Sequence, residues 1–287
     1  MKVKSVTLTA TSYPETLRHL HQPPRELYWL GADPSVWLAQ PRLAIVGSRR
    51  STGYGRQITE QFAGELARRG VVIISGLALG IDSIAHRAAL AAKGTTVAVL
   101  PTALDQIYPA SHQNLADQIV ERGGALISEY PAGAPAYKQN FIARNRIVAG
   151  LADGLLITEA AANSGTMHTA RFALEQGKTV MAVPGNVTSP ASEGTNNLIK
   201  SGALAVTSVE DVCFALGWPV QAKQSLAAWP ADSSASRVLE LIKAGTADQE
   251  ELALAIALDA ATLSGLLTML EIGGYIRPLG AGQWALA

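Results

Sequence analysis

The chain has 287 residues, 48% of them hydrophobic and 16% charged, a length and composition that predict one large and one small domain. The 23 basic and 23 acidic residues balance to a net charge of zero, which argues mildly against nucleic-acid binding unless the basic residues cluster on one surface. The single cysteine excludes an internal disulfide, and no stretch approaches the ~20 apolar residues of a membrane span, so we expect a soluble cytoplasmic protein.

Residues 1–40 contain four prolines among scattered aromatic side chains. The proline density argues against a long helix, and the aromatic rings favour packing against a neighbouring surface. We therefore predict an irregular N-terminal arm that packs on the core.

Over residues 41–217, short apolar runs alternate with amphipathic segments. This alternation predicts a Rossmann-type parallel sheet with helices on both faces, whose strands are continuous apolar runs because both faces are covered. The predicted strands are Leu43–Val46, Val71–Ser75, Thr95–Leu100, Ala125–Glu129, Gly154–Glu159 and Thr179–Val183. The predicted helices are Arg56–Arg69, Ile81–Ala92, Gln113–Arg122, Ile142–Gly150 and Thr166–Gln176.

Residues 218–232, rich in proline and small residues, are predicted to be a linker before a small winged-helix domain at 233–287. The predicted helices and hairpin strands of that domain are Arg237–Lys243, Gln249–Ile256, Ala260–Gly273, Tyr275–Arg277 and Gln283–Ala285. Residues 233–287 carry three basic and six acidic side chains, and the third helix, where a recognition helix would lie, has no lysine or arginine. Such a domain suits protein contact or packing better than duplex DNA.

Three glycine-rich loops follow predicted strands, at the sheet edge where parallel α/β proteins bind ligands. Glycines let the backbone approach an anion, and arginines in the first loop add phosphate partners. One such loop is equally well a tight strand-to-helix turn, but three together favour an extended polyanion or a large nucleotide. The missing Walker A and G-x-G-x-x-G patterns disfavour P-loop chemistry and dinucleotides. The candidate loop residues are Gly47, Ser48, Arg49, Arg50, Gly76, Ser164, Gly165 and Thr166.

Residues 137–150 place the ring of Phe141 between cations and amides, a pattern typical of single-stranded nucleic-acid binding. On a helix, Phe141, Arg144 and Asn145 share a face that Arg146 does not. In the alternative that remains open, the ring belongs to the core and the arginines pair with Glu129 and Glu159. The candidate residues of this segment are Lys138, Asn140, Phe141, Arg144, Asn145 and Arg146.

The sequence offers little for catalysis. The five histidines lack metal-ligand spacing, and no G-x-S-x-G motif is present. Asp82, Glu129 and Glu159 follow strands, where an acid or base can work, but helix capping or pairing with arginine explains them better. Cys213 lies in an apolar stretch and is predicted to be a buried structural thiol. We expect no enzyme activity, no metal and no cofactor.

Many motifs, in order, resemble the DNA-processing protein A family, also called DprA or Smf. The similarity runs from about Tyr13 to Val212, and the C-terminal segment resembles the winged-helix domain of the family. The matching residues are Gly47–Arg49, Ser75–Asp82, His86, Phe141, Arg144–Leu151, Ser164–Thr166, Thr169, Ala170, Val183–Gly185, Gly194–Asn196, Leu198 and Ile199.

This resemblance implies an extended Rossmann fold that binds single-stranded DNA without sequence preference and has no known catalysis. It also implies a homodimer that helps load the recombinase RecA onto incoming DNA during natural transformation. Leu198 and Ile199 are the implied dimer surface. The residues implied to line the DNA pocket, beside the Ser164–Thr166 loop, are Arg49, Lys138, Phe141, Arg144 and Arg146.

Two other functions compete with this one. LOG-type phosphoribohydrolases, which cleave nucleoside monophosphates, carry a P-G-G-x-G-T-x-x-E signature, but residues 161–169 lack both its double glycine and its glutamate. A nucleotide-sensing or transcriptional role acting through the winged helix is opposed by the absence of cations from Ala260–Gly273. We therefore expect binding without catalysis.

Overall fold

The computed structural model describes residues 2–219, 233–280 and 282–286. The chain forms two compact units, Met1–Val220 and Gln221–Ala287. Nearly all of the predicted linker, residues 218–232, lies outside the described residues.

The first unit is organised around a sheet of nine strands within residues 2–219, in the order β1-β2-β6-β5-β4-β3-β7-β8-β9. Strands β3 to β9 run parallel, and β1 and β2 add an antiparallel edge beside β6. The strands are β1 (Lys4–Thr7), β2 (Glu26–Gly31), β3 (Arg42–Val46), β4 (Val72–Ser75), β5 (Thr96–Val99), β6 (Ala125–Ser128), β7 (Gly154–Ile157), β8 (Thr179–Ala182) and β9 (Leu204–Ala205).

Helices cover both faces of this sheet, as the alternation of apolar runs and amphipathic segments predicts. Successive residues of β3 alternate between two core clusters: Ala44 and Val46 belong to one, Leu43 and Ile45 to the other. Because both faces are buried, the strand is a continuous apolar run. The helices are α1 (Glu15–Arg18), α2 (Pro34–Trp37), α3 (Gly53–Arg68), α4 (Ile81–Ala91), α5 (Gln113–Glu121), α6 (Lys138–Ala143), α7 (Asn145–Leu151), α8 (Thr166–Glu175), α9 (Glu193–Lys200) and α10 (Val209–Ala215).

The prediction of an irregular arm over residues 1–40 is wrong. Strand β2 pairs with β6, and its Leu27 and Trp29 are buried in the core. The prolines fall outside the strand; Pro34, for example, occupies the first turn of α2, where it costs no hydrogen bond. One of the two strands that pair with β2, β6, lies almost 100 residues away, so local composition did not reveal the place of β2 in the sheet.

The predicted helix Ile142–Gly150 is instead two short helices, α6 and α7, with Arg144 at their junction. Helix α3 begins at Gly53, earlier than predicted, because the Thr52 hydroxyl accepts a hydrogen bond from Gly55 N at 3.1 Å and caps the helix. The other predicted strands and helices of the sheet appear with small shifts at their ends.

The second unit is a small winged-helix domain with its own apolar cluster, centred on Val238, Leu252, Leu263 and Leu267. Its elements are α11 (Ser233–Lys243), α12 (Gln249–Ile256), α13 (Ala260–Ile272), β10 (Ile276–Gly280) and β11 (Gln283–Leu286). No single helix in the described parts of the chain is long and apolar enough to cross a membrane. Only α12 and α13 taken together, across a bend of 111°, meet that criterion of length and composition.

Candidate nucleic-acid interface

A cavity of about 560 Å³ opens at the carboxyl ends of β3, β4 and β7, bounded by their three glycine-rich loops and by the α6–α7 junction. The structure brings eleven of the fourteen candidate residues together in its wall. They are Gly47, Ser48, Arg49, Arg50, Gly76, Phe141, Arg144, Asn145, Ser164, Gly165 and Thr166.

The loop after β3 is held by backbone hydrogen bonds to both neighbouring loops. Ser48 N donates to Glu159 O at 2.8 Å, and Ile81 N donates to Ser48 O at 3.1 Å. Gly80 has φ +77°, and a side chain there would collide with Ser48 O, so the tight contact between the first two loops requires glycine. The loops therefore form one rigid edge.

Glu159 fixes the start of α3. Its carboxylate is buried and accepts hydrogen bonds from Thr52 N, at 3.0 Å, and from the Thr52 hydroxyl. This is the capping role that the sequence favours over acid–base chemistry. No arginine pairs with Glu159 among the described residues, so that part of the alternative pairing is wrong.

Arg144 lines the cavity but is only 4% exposed. Its guanidinium donates to the carbonyls of Gly76 and Val99, and Asp82 accepts from Gly76 N at 3.1 Å beneath the same loop. Burial lowers the pKa of Arg144 to about 10 and raises that of Asp82, while each charge opposes the shift in the other. Arg144 therefore holds the floor of the cavity together.

The structure does not bring Lys138, Asn140 and Arg146 to the cavity wall. Arg146 instead forms a two-pronged ion pair with Glu129, at 2.6 and 3.0 Å, because α7 directs its side chain away from the face that carries Asn145. The alternative pairing with Glu129 is thus confirmed for this arginine, and its implied place in the DNA pocket is corrected. Lys138 is exposed outside the cavity and Asn140 is buried.

Phe141 is half-buried and lies in the wall of the cavity, and it is absent from the core clusters of the described residues. Its ring meets that of Tyr108 edge to face, with centroids 4.9 Å apart and planes at 81°. Tyr108 is 53% exposed, and both rings also line a small adjoining cavity of about 70 Å³. Tyr108 is not among the residues predicted from the sequence, although its position in the segment after β5, at the ligand-binding edge of the sheet, was an available signal.

Arg49 and Arg50 are the exposed cations of the cavity. Neither forms an ion pair or a side-chain hydrogen bond with another described residue. The one carboxylate among the lining residues, Asp82, is buried beside Arg144 and not paired with either of them. The cavity thus presents uncompensated positive charge next to a pair of aromatic rings.

The family model described as DNA recombination-mediator protein A matches residues 4–217, and that of the DprA winged helix domain matches residues 220–282. The chain belongs to the DNA recombination-mediator protein A family.

Among relatives of this family, protein Smf of Escherichia coli is 49% identical over 181 residues, which cover 62% of this chain and 48% of that protein. The chain thus spans about half the length of this relative. The crystal structure of DNA processing protein A from Streptococcus pneumoniae superposes with a TM-score of 0.69 at 39% identity, covering 74% of each chain. A Helicobacter pylori structure of DNA processing protein A, described in terms of its single-stranded DNA binding mode, gives 0.67 at 34% identity and covers 75% and 95% of the two chains.

His86, one of the residues on which the resemblance to the family rests, is buried on α4. Thr96 Oγ1 donates to Ile73 O, so it accepts from His86 Nδ1–H at 2.7 Å, and His86 Nε2 has no hydrogen-bond partner among the described residues. Burial lowers the pKa of His86 to about 3, so the ring is neutral at physiological pH. This histidine is part of the support of the sheet.

Two further predictions concern residues that lie outside the cavity wall. Leu198 and Ile199, the implied dimer surface, lie half-buried on α9, and Leu198 packs against the core. Cys213 is buried, with Arg69 Nη1 at 3.8 Å from its sulfur. In the described part of the chain, no group of three or more histidine, cysteine or carboxylate side chains is placed to hold a metal ion.

Proposed function

We propose that the first unit binds single-stranded DNA without sequence preference, in the cavity beyond β3, β4 and β7. The observation that carries this proposal is the meeting of Arg49, Arg50 and Phe141 at one glycine-rich sheet edge. Proteins that bind single strands combine cations, which contact the phosphates, with aromatic rings on which the bases stack. The single-stranded DNA binding described for the Helicobacter pylori relative supports it.

In this mechanism, the arginines neutralise successive phosphates while the ring of Phe141 stacks a base. Helix α8 begins at Thr166 in the cavity wall, so the positive end of its dipole adds to the attraction for phosphate. Stacking is worth about 1–3 kcal/mol per base and tolerates any base, since every base has a π-face. These contacts select a flexible strand over a duplex, whose bases are already stacked.

Binding without catalysis is the form of activity that the cavity supports. Thr169 stands where the phosphoribohydrolase signature has its glutamate, and it lines the cavity. The carboxylate of Asp82 is buried against backbone amides and Arg144. A glycosidic bond placed here would find no acid to protonate its leaving group.

From the family we further propose that the protein acts as a cytoplasmic homodimer and helps load RecA onto single-stranded DNA in natural transformation. Matches to proteins named for DNA processing support this role. The half-buried Leu198 and Ile199 of α9 are the surface we propose for the dimer.

Fluorescence anisotropy of labelled oligo-dT and of its duplex, measured across a salt series, tests DNA binding. We expect tight, salt-sensitive binding to the single strand, with the logarithm of the affinity falling by about 0.7 per phosphate contact per decade of salt. Absence of binding by the folded protein would refute the proposal.

Three alanine variants, at Arg49, Phe141 and Lys138, test which side chains contact the strand. Arg49→Ala should weaken binding to every sequence and lower the salt slope, whereas Phe141→Ala should cost about 1–3 kcal/mol with the slope unchanged. Lys138→Ala should have the smaller effect of a cation outside the cavity. Normal affinity and slope for Arg49→Ala would show that the strand binds elsewhere.

A further inference from the structure

A second groove, of about 500 Å³, runs along the outer surface between α3 and α4. Its charged residues are three arginines and one glutamate, and its wall contains no aromatic ring. The lining residues that matter here are Ser51, Arg56, Glu60, Arg68, Gly80 and Arg87.

The spacing of the sequence builds this groove. Arg56, Glu60, Gly64 and Arg68 recur every four residues, so they form one stripe along α3. Small residues fill the space between the helices: Gly64 on α3 faces the backbone of Ala88 on α4. The floor is therefore low, and the Arg68 guanidinium lies over it beside Gly64.

Arg56, Arg68 and Arg87 are all exposed and all lack an ion pair or side-chain hydrogen bond with any described residue. At the C-cap of the same helix, by contrast, Arg69 pairs with both Glu65 and Glu210. In a chain whose charges balance overall, a cluster of three unpaired cations around one glutamate is a local excess that attracts a polyanion.

The groove and the DNA-binding cavity share a wall. Gly47 to Arg50 line the cavity, and Ser51, the next residue, lines the groove. Gly80 also lines the groove, and it packs against Ser48 and Arg49, which line the cavity. Arg50 therefore lies at the boundary between cavity and groove. A strand that passes Arg50 has cations beside its phosphates in both sites.

We propose that the groove holds the sugar–phosphate backbone of a DNA strand that continues out of the cavity past Arg50. This inference rests on the proposed function of the cavity. From Arg56 to Arg68 the helix rises about 18 Å, a length that serves several successive phosphates. Since the groove offers cations and no aromatic ring, it makes affinity depend on the length of the strand and not on its bases.

The test compares two oligo-dT probes, one of about 6 nucleotides for the cavity alone and one of about 20 for the cavity and groove. The groove variant is Arg56→Gln/Arg68→Gln/Arg87→Gln. Its control, Lys2→Gln/Arg25→Gln/Arg171→Gln, loses the same charge at exposed positions outside both sites. Both proteins are measured as full chains after a thermal melt confirms folding.

We expect the groove variant to bind the short probe as the control does and to bind the long probe at least about tenfold more weakly, with a salt slope lower by about 2. Equal losses of affinity for both probes, or an unchanged affinity for the long probe, would overturn the proposal that the groove binds the strand. If the unaltered protein binds neither probe, it is the proposed function that fails, and the inference fails with it.

A second measurement uses the unaltered protein, so it does not depend on the folding of a variant. The long probe is made with neutral methylphosphonate linkages beyond its first ~6 nucleotides at one end, and then at the other. Both should bind no better than the short probe, because in either orientation the neutral tail gives the groove arginines nothing to neutralise. An affinity equal to that of the fully charged probe for either one would contradict the proposal.

Discussion

Arg144 and Arg49 line the same cavity but are predicted to affect different properties. Replacing Arg144 by alanine leaves Asp82 buried without its counter-charge and frees the carbonyls of Gly76 and Val99, so we expect it to destabilise the fold by about 3–5 kcal/mol. Arg49→Ala removes an exposed side chain and should change stability by less than about 0.5 kcal/mol. Urea unfolding of the two variants measures this difference. Equal free energies of unfolding would mean that Arg144 has no structural role and is available to contact DNA.

His86 predicts a pH dependence of stability. Its pKa is about 3 in the folded protein and 6.5 in the unfolded chain, so between these values only the unfolded chain takes up the proton. Stability is therefore lost as the pH falls below about 6.5, by about 1.4 kcal/mol per pH unit for this group. Urea unfolding at pH 7 and pH 5.5 measures the loss, and His86→Gln should flatten it. An equally steep loss in that variant would assign it to other groups.

At the level of single residues, the sequence predicted most of the side chains that line the cavity but not the contacts that each of them makes. Glycines and polar residues after strands were found because the ends of parallel strands share one edge. Arg146 has the same residue type and motif context as Arg144, yet it is turned toward Glu129. Tyr108 contacts Phe141 across 33 positions of the chain. Such pairings depend on tertiary contacts that no local pattern contains.

At the level of elements, the contact between the loops after β3 and β4 depends on Gly80. Gly80→Ala should strain the backbone and displace Ser48, so we expect both lower stability and weaker DNA binding. Gly70→Ala is the matched control: its φ of +80° is equally unfavourable, but nothing lies within 4 Å of the added carbon, so only stability should fall. Unfolding and anisotropy measured on both variants separate the two effects. Normal binding by Gly80→Ala would show that the loop position is not critical.

The central strands were predictable because burial on both faces turns them into uninterrupted apolar runs, as in β4 and β7. Strand β2 is different, since it alternates buried and partly exposed residues beside prolines and joins the sheet by pairing with the distant β6. The break between α6 and α7 was hidden because residues 137–150 contain no glycine or proline before Gly150. Tertiary hydrogen bonds of Arg144 hold that junction instead.

At the level of the whole molecule, a net charge of zero conceals an uneven distribution. Residues 233–287 have a net charge of −3, and the rest of the chain has +3. The positive part contains both the cavity and the groove between α3 and α4. Overall charge is therefore a poor guide to polyanion binding in this chain, because the attraction depends on where the unpaired arginines lie.

This distribution predicts that the winged-helix unit is dispensable for the affinity of single-stranded DNA. Helix α13 has no lysine or arginine and exposes Met269 and Ile272, a surface suited to protein and not to phosphate. Residues 2–219 are the described part of a compact unit, Met1–Val220, that contains the entire cavity wall, so a fragment of residues 1–220 should fold. We expect it to bind oligo-dT within about threefold of the full chain and with the same salt slope, since no phosphate contact is lost.

Phe141→Ala made in the fragment is the control, because it should weaken binding there as much as in the full chain. If the folded fragment instead lost affinity together with part of the salt slope, the winged-helix unit would have to supply cations to the strand. Its three basic residues, Arg237, Lys243 and Arg277, would then be the positions to change next. A loss of affinity with the slope intact would exclude phosphate contacts by those residues and leave a non-ionic contribution of the unit to the bound state.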